Sequence, residues 1–190
     1  YENMHAVSVT GRPWHELDRA LLECRPLIGV LTDHIHTPRA IAKRMMEYHL
    51  DKDYTMRVAE HLGNPKKEKI YNIYSIEEIS EMSFSCPNCV LLMKAPNSTQ
   101  QRPTLGIPDT KFVLLNDRAK MITKAPIRVM DLSLLELHNS RTFWDIGACT
   151  GSVSIEARRQ YPHLNIQAFE VREECKDIIR ANARLHSAPG

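Results

Sequence analysis

Residues 143–171, FWDIGACTGSVSIEARRQYPHLNIQAFEV, contain the pattern that most restricts the fold of this chain. An apolar, strand-like run leads into a turn with Gly147 and Gly151. A helix is predicted from about Gly151, and a second strand-like run ends at Glu170. Strand, helix and strand in this order are typical of a βαβ unit, whose two strands lie parallel in one sheet. The sequence therefore predicts an α/β unit, with the turn and Glu170 at the carboxyl edge of adjacent strands.

The first half of the chain also alternates between strand and helix patterns. Strand-like runs are HAVSVT, PLIGVLTD, DYTMRVAEHL, KIYNIYS and CVLLMKA, and helical spacing is found in WHELDRALLEC and SIEEISEM. Thr37 and Pro38 predict the start of another helix, because Thr is a favoured N-cap and Pro suits the first helical position. This alternation predicts α/β layers in the first half as well.

A domain boundary is predicted within the region between Ala95 and Arg118, toward its end. The segment PNSTQQRPTLGIPDTKF in this region contains three prolines and has no apolar periodicity, which indicates a loop. We place the boundary near Phe112–Arg118, which gives one domain over residues 1–115 and another over 116–190. The second has two clear strands, whereas a doubly wound sheet usually has about five or more. We therefore expect the second domain to be incomplete.

Composition excludes several classes of protein. The net charge of +2 over 190 residues is too small to indicate a nucleic-acid partner. No apolar run approaches the ~20 residues that span a membrane, so no membrane partner is expected. The first residues lack the basic-then-apolar pattern of a secretion signal. Five cysteines, an odd number at irregular spacing, do not indicate a disulfide framework. We expect a cytoplasmic protein.

Two short motifs raise the question of a metal. Cys86 and Cys89 have the C-x-x-C spacing of a zinc or redox pair. A structural zinc site needs four ligands, and the other cysteines are scattered without a second pair. His34 and His36 resemble half of a metal site, but no third ligand is near them in sequence. We therefore expect no metal site.

The turn of residues 147–151 and the acids around it indicate nucleoside binding. Glycines allow backbone N–H groups to approach a ligand closely. Asp145 precedes the turn, and Glu170 follows 25 residues later (170 − 145), where a carboxylate can accept both ribose hydroxyls. The G-x-G-x-x-G spacing of nicotinamide folds is absent. The glycines alone are equally compatible with a purely structural turn, and the two acids favour a ligand.

This pattern resembles motif I and the following acidic residue of class I S-adenosylmethionine (SAM) methyltransferases. The resemblance implies that Gly147 and Gly151 lie against the methionine part of SAM and that Glu170 holds its ribose. Asp145 would position the turn within this cofactor site. Cys149 departs from the family pattern, because that position is most often glycine.

Longer stretches resemble two methylating components of vitamin B12 synthesis. MITKAPIR, WDIGACTGSVSIEA and IIRANA are similar to the C(15)-methylating, decarboxylating component. SVTGR, LTDHIHTPRAIAKRMME, VAEHLGNPKKEKI and LGIPDTKF are similar to the second half of the C(5)-methylating component, a tetrapyrrole methylase. The two occur fused in this order in the precorrin-6Y C(5,15)-methyltransferase (decarboxylating) family. The fold implied is the C-terminal half of a tetrapyrrole methylase followed by an incomplete Rossmann-like class I methyltransferase domain.

The resemblance also implies a reaction. SAM would methylate two bridge carbons of a small-molecule tetrapyrrole, precorrin-6, and a ring acetate would leave as carbon dioxide. Both families commonly self-associate, so a homo-oligomer is compatible with it. The isolated piece is expected to be inactive. The alternatives are a SAM-dependent methyltransferase of another substrate and a non-catalytic α/β binding domain.

Further site residues follow from the resemblance, although no catalytic residue does. It places Thr123 at the cofactor of the second domain, and Gly11 and Thr32 at the cofactor of the first. For Thr32 and its neighbour Asp33, capping of the following loop is the alternative. Lys124 and Arg128 would bind substrate carboxylates, and a solvated side chain is the alternative for Lys124.

Overall fold

The computed structural model describes residues 4–96, 98 and 105–190. The chain divides into two units, Tyr1–Gln101 and Arg102–Gly190. Both are α/β, which confirms the predicted class. The boundary predicted after residue 115 falls inside the second unit, because Ile107 and Phe112 pack with Ile155 in the core of that unit.

The first unit contains one mixed five-stranded sheet. Its strands and helices in chain order are β1 (Met4–Ser8), α1 (His15–Leu22), β2 (Leu27–Leu31), α2 (Pro38–Glu47), β3 (Tyr54–Glu60), β4 (Lys69–Tyr74), α3 (Ile76–Glu81) and β5 (Asn88–Lys94). The order across the sheet is β1-β2-β5-β3-β4. β1 and β2 are parallel, and the other neighbours are antiparallel. The last strand in sequence therefore lies at the centre.

Alternating side chains of the central strands form the core of the first unit. Val30 of β2 lies opposite Val90 of β5, and both are buried. Ile41 and Met45 of α2, four residues apart on one helical face, are buried in the same cluster. The predicted cap of α2 is confirmed, because the Thr37 side chain accepts a hydrogen bond from the Ala40 amide at 3.2 Å.

The second unit contains a pair of parallel strands with helices. Its elements are α4 (Ala125–Leu134), β6 (Thr142–Ile146), α5 (Ser152–Gln160), β7 (Asn165–Phe169) and α6 (Glu174–Leu185). β6 and β7 pair in parallel from Thr142 opposite Asn165 to Ile146 opposite Phe169, as the βαβ pattern predicts. Among the described residues of both units, no helix is long and apolar enough to cross a membrane.

Candidate functional site

The glycine turn connects β6 to α5 and is hydrogen-bonded to the end of β7. The amides of Gly147 and Ala148 both donate to the carbonyl of Phe169, at 2.8 and 3.1 Å. Gly147, Cys149 and Gly151 have positive φ values of 87°, 47° and 73°. Glycine adopts such values without strain, whereas Cys149 does so at an energetic cost.

The two glycines of the turn have different surroundings. A Cβ added to Gly147 would meet nothing within 4 Å, so this backbone faces open space. A Cβ added to Gly151 would lie 3.1 Å from Cγ2 of Ile179 in α6. Gly147 therefore leaves room for a ligand, and Gly151 allows α6 to pack closely against the start of α5.

A cavity of about 250 Å³ lies beside the turn. Residues 120–123 line one side of it, and residues 147–150 with Ser152 line the other. Of the predicted site residues, Thr123 and Gly147 are in this lining, and Gly151 is not. The glycines predicted the 147–151 side of the cavity, whereas no sequence pattern indicated Met121 or Ile122.

Asp145, a residue of β6, is hydrogen-bonded to α5. Its Oδ2 accepts hydrogen bonds from the Ser154 hydroxyl at 2.6 Å and from the Ser154 amide at 3.2 Å. The carboxylate therefore fixes the direction in which the helix leaves the turn. This contact matches the positioning part of its predicted role.

Glu170 directly follows β7, and its carboxylate is turned toward the glycine turn. Oε2 accepts a hydrogen bond from the Cys149 amide at 3.0 Å, and only 2% of the side chain is exposed. Arg172 donates to the same carboxylate from its amide, Nε and Nη2. The Arg172 side-chain hydrogen bonds, followed by the backbone donors, lower the pKa of Glu170 to about 2. The expected geometry of adjacent strands with Glu170 at their turn is confirmed.

Two cysteines that are 26 residues apart in sequence (175 − 149) meet at this carboxylate. The Sγ atoms of Cys149 and Cys175 and a carboxylate oxygen of Glu170 all lie within 4.8 Å of one another. Cys175 is fully buried near the start of α6. Their spacing in sequence gave no indication of this approach, because the sequence alone does not show that α6 starts beside the turn.

Arg128 is buried, which corrects its predicted role as a substrate ligand. Its side chain is 0% exposed, and Nε and Nη1 donate at 2.8 Å to Glu156 and Asp109. Nη1 and Nη2 also donate to the backbone carbonyls of Thr123 and Ile107. With these protein acceptors and no exposed surface, the guanidinium does not reach a substrate.

Lys124 lies at the N-cap position of α4 and is accessible. Its side chain is 49% exposed, and Nζ lies 3.4 Å from Oδ2 of Asp109. An exposed ion pair of this length is weak, so the ammonium group remains able to bind another carboxylate.

In the first unit, Gly11 and Thr32 lie together beyond the carboxyl ends of β1 and β2. The Gly11 amide donates to Oδ2 of Asp33 at 2.8 Å, and the Thr32 hydroxyl lies 2.6 Å from two oxygens of Asn88. Oδ1 of Asp33 accepts from the amides of Ile35 and His36. The Gly11 hydrogen bond, followed by those of His36, lowers the pKa of Asp33. These contacts match the loop-capping alternative for Thr32 and Asp33.

Comparison with known proteins gives a match over the second unit. Residues 115–190 match the model of a family described as the precorrin methyltransferase domain. A cobalt-precorrin-6B C(15)-methyltransferase (decarboxylating) of Salmonella typhimurium is 51% identical over 49 residues, which are 26% of this chain and 26% of that protein.

Another relative aligns with both units. A precorrin-6Y C(5,15)-methyltransferase (decarboxylating) of Sinorhizobium sp is 26% identical over 185 residues, which are 97% of this chain and 43% of that protein. The crystal structure of precorrin-6Y C5,15-methyltransferase from Geobacter metallireducens GS-15 matches 46% of this chain and 45% of its own, with 38% identity and a TM-score of 0.41. The chain thus spans less than half the length of these relatives.

Proposed function

We propose that this chain is part of a SAM-dependent methyltransferase of vitamin B12 synthesis, because residues 115–190 match the model of the precorrin methyltransferase domain family. The proposed substrate is a precorrin-6 tetrapyrrole. Two methyl groups are transferred to bridge carbons, and a ring acetate is released as carbon dioxide. The order of the units supports this reaction, since the Sinorhizobium relative, named for both methylations, aligns across 97% of the chain.

The second unit offers a site that fits SAM. The open backbone of Gly147 borders the cavity of about 250 Å³, and a side chain at this position would project into free space. This volume is below the roughly 300–1,000 Å³ of pockets that enclose a whole ligand, so it corresponds to one part of the cofactor. Glu170 lies just beyond the cavity wall, where its carboxylate can accept the ribose hydroxyls.

Binding of the ribose requires a change at Arg172. The Glu170 carboxylate already accepts four hydrogen bonds, one from the Cys149 amide and three from Arg172. A carboxylate offers about four lone-pair positions, so a ribose hydroxyl has to replace one of these donors. The Arg172 side chain is partly exposed and is the donor that can move. The proposed site therefore binds the nucleoside as the guanidinium withdraws.

The protein contributes mainly alignment to the proposed reaction. SAM supplies an already activated methyl group, and the chain has to hold the acceptor carbon in line with it and exclude water. The Arg172 side chain lowers the pKa of Glu170 to about 2, so Glu170 stays ionised well below neutral pH and acts as a hydrogen-bond acceptor. Asp145 fixes α5 against the turn. Lys124 remains a candidate ligand for a substrate carboxylate.

The contact between Glu170 and the glycine turn carries this proposal, and calorimetry with SAM tests it. A hydrogen bond to a charged group contributes about 1.5–3 kcal/mol, so Glu170→Gln should weaken SAM binding roughly 10- to 150-fold. Asp177→Asn is the matched control, because it removes an exposed acid of α6 and should leave SAM affinity unchanged. Equal affinities of the wild type and Glu170→Gln would contradict the assigned site, and no SAM binding by the full-length parent protein would favour a non-catalytic domain.

The substrate class is tested with the SAM-loaded chain. Addition of a precorrin-6 tetrapyrrole should shift the absorption spectrum of the tetrapyrrole as its carboxylates bind. If SAM binds and the tetrapyrrole spectrum does not change, a methyltransferase of another substrate is the better conclusion.

A further inference from the structure

Three groups with metal-ligand chemistry converge beside the glycine turn. Atoms of Cys149, Glu170 and Cys175 lie within 4.8 Å of one another. They come from the turn after β6, the residue after β7 and the start of α6. Cys175 is fully buried, and the Glu170 side chain is 2% exposed. Within the residues that the structure describes, this cluster is the one group of three His, Cys, Asp or Glu side chains with such convergence.

The donor atoms suit a thiophilic divalent cation. Zinc binds thiolate sulfur at about 2.3 Å and carboxylate oxygen at about 2.0–2.2 Å in a tetrahedral arrangement. That geometry places two sulfur ligands about 3.8 Å apart, so the cluster has to contract by about 1 Å at most. Of the three side chains, Cys149 also lines the cavity beside the turn, and a fourth ligand would have to come from outside the cluster. Three protein ligands and one open position are known for zinc sites.

A cation bound to Glu170 has to take the carboxylate position that Nη2 of Arg172 occupies in this structure, and the remaining charges and hydrogen bonds suit it. Two thiolates, the Glu170 carboxylate, a divalent cation and the Arg172 guanidinium sum to zero charge. The Arg172 amide and Nε hold Oε1 of Glu170 at 3.0 Å, and the Cys149 amide holds Oε2. Such outer hydrogen bonds orient metal-binding carboxylates. Burial, followed by the Cys149 thiol, raises the pKa of Cys175, so a metal has to displace its proton.

We propose that Cys149, Cys175 and Glu170 form a binding site for Zn²⁺ or a similar thiophilic divalent cation. Metal binding by these side chains stands independently of the proposed function. A second consequence rests on the proposed function: a cation that occupies Glu170 removes the acceptor of the ribose hydroxyls. Metal and SAM should therefore exclude each other.

Cobalt(II) is the probe for the site, because thiolate ligands give it a near-ultraviolet charge-transfer band. The reduced 190-residue chain should develop this band with about one Co²⁺ per chain. The Cys86→Ser/Cys89→Ser variant is the matched control, since it removes the other thiol pair, and it should keep the band. Cys175→Ser should lose the band, and Cys149→Gly should lower the affinity by more than about 100-fold, beyond the effect of losing an outer-shell partner.

Cys149→Gly also distinguishes loss of a metal ligand from loss of the fold. Residue 149 has a positive φ that glycine adopts freely, so this variant should fold at least as well as the wild type. Loss of the band in a folded Cys149→Gly variant supports the site. A band that persists in that variant, that disappears in Cys86→Ser/Cys89→Ser, or that is absent from the wild type overturns the proposal.

The pH dependence and the competition with SAM provide two further readouts. Metal binding to thiolates releases protons, so the apparent affinity should rise steeply with pH, and a flat profile contradicts thiolate coordination. Zn²⁺ should abolish SAM binding in calorimetry. If the chain binds Co²⁺ at these residues but does not bind SAM, the proposed metal site stands and the proposed function fails. If the chain binds SAM but no metal, the proposed function stands and the metal site fails.

Discussion

The buried guanidinium of Arg128 gives a sharp test of what holds the second unit together. It donates to Glu156, which is 1% exposed, and to Asp109, which is more accessible. Glu156 in turn accepts the amides of Gly106 and Ile107 at 3.0 Å. The two side chains thus connect α4, α5 and the segment before them. Arg128→Met leaves a buried carboxylate without its cationic partner.

Removing one partner of a buried ion pair costs about 3–5 kcal/mol. A unit of 89 residues (190 − 101) has a stability of roughly 4–13 kcal/mol at 0.05–0.15 kcal/mol per residue. Arg128→Met therefore removes a large part of the stability of the second unit. Lys124→Met is the matched control, because Lys124 pairs with the same Asp109 from an exposed position, and such pairs contribute about 0–1 kcal/mol.

Hydrogen exchange measured by mass spectrometry resolves the two units in one experiment. Since 1.4 kcal/mol is a factor of ten, exchange in peptides of α5 should accelerate about 100- to 4,000-fold in Arg128→Met and at most about fivefold in Lys124→Met. Peptides of β3 and β5 in the first unit should not change. Adding Glu156→Gln to Arg128→Met removes the unpaired charge, so the double variant should regain about 1–2 kcal/mol of unfolding free energy. Equal acceleration in the two single variants would refute the assigned role of the buried pair.

Two further predictions concern the second unit. Burial lowers the pKa of His186 from its ordinary 6.5, although Nε2–H donates a hydrogen bond to the Lys111 carbonyl at 2.9 Å. As pH falls, His186 therefore takes up a proton in the unfolded chain before it does so in the folded chain. The unfolding free energy should therefore decrease as pH falls from about 6.5 toward the folded pKa. Urea titrations at several pH values should show that the unfolding free energy of His186→Gln depends less steeply on pH, and an unchanged dependence on pH contradicts this prediction. Gly147→Ala should destabilise the unit by ~1–2 kcal/mol, the cost of a left-handed backbone conformation for a residue with a Cβ. Gly151→Ala should destabilise the unit more, because its Cβ also meets Ile179. Equal urea midpoints of the two variants would contradict the packing role of Gly151.

Local signals in the sequence predicted the elements well. The Thr37–Pro38 pair marked the start of α2, and the alternation of apolar residues marked β2 and β5, because capping and side-chain period are properties of neighbouring residues. The same holds for the turn from β6 into α5. The placement of Glu170 at this turn also followed, because a βαβ connection fixes which strand ends meet.

The errors arose where distant residues meet. Arg128 was expected to bind substrate, since its helix does not reveal that Asp109 and Glu156 approach it from 19 and 28 residues away. The approach of Cys149 and Cys175 was not predicted for the same reason. The engagement of Glu170 by Arg172 was also missed, although the two are only two residues apart, because a charged side chain after a strand can equally extend into solvent.

The central place of β5 has a consequence for how the first unit forms during synthesis. β5 pairs with β2 on one side and with β3 on the other, and it is the last strand of the unit to leave the ribosome. Without residues 88–94, no strand joins the β1–β2 pair to the β3–β4 pair, and the inner edge of each pair has no partner within the sheet. Domains generally fold as units during translation, so the first unit cannot complete its sheet before its final strand is synthesised. Unpaired strand edges can pair with other chains in the meantime.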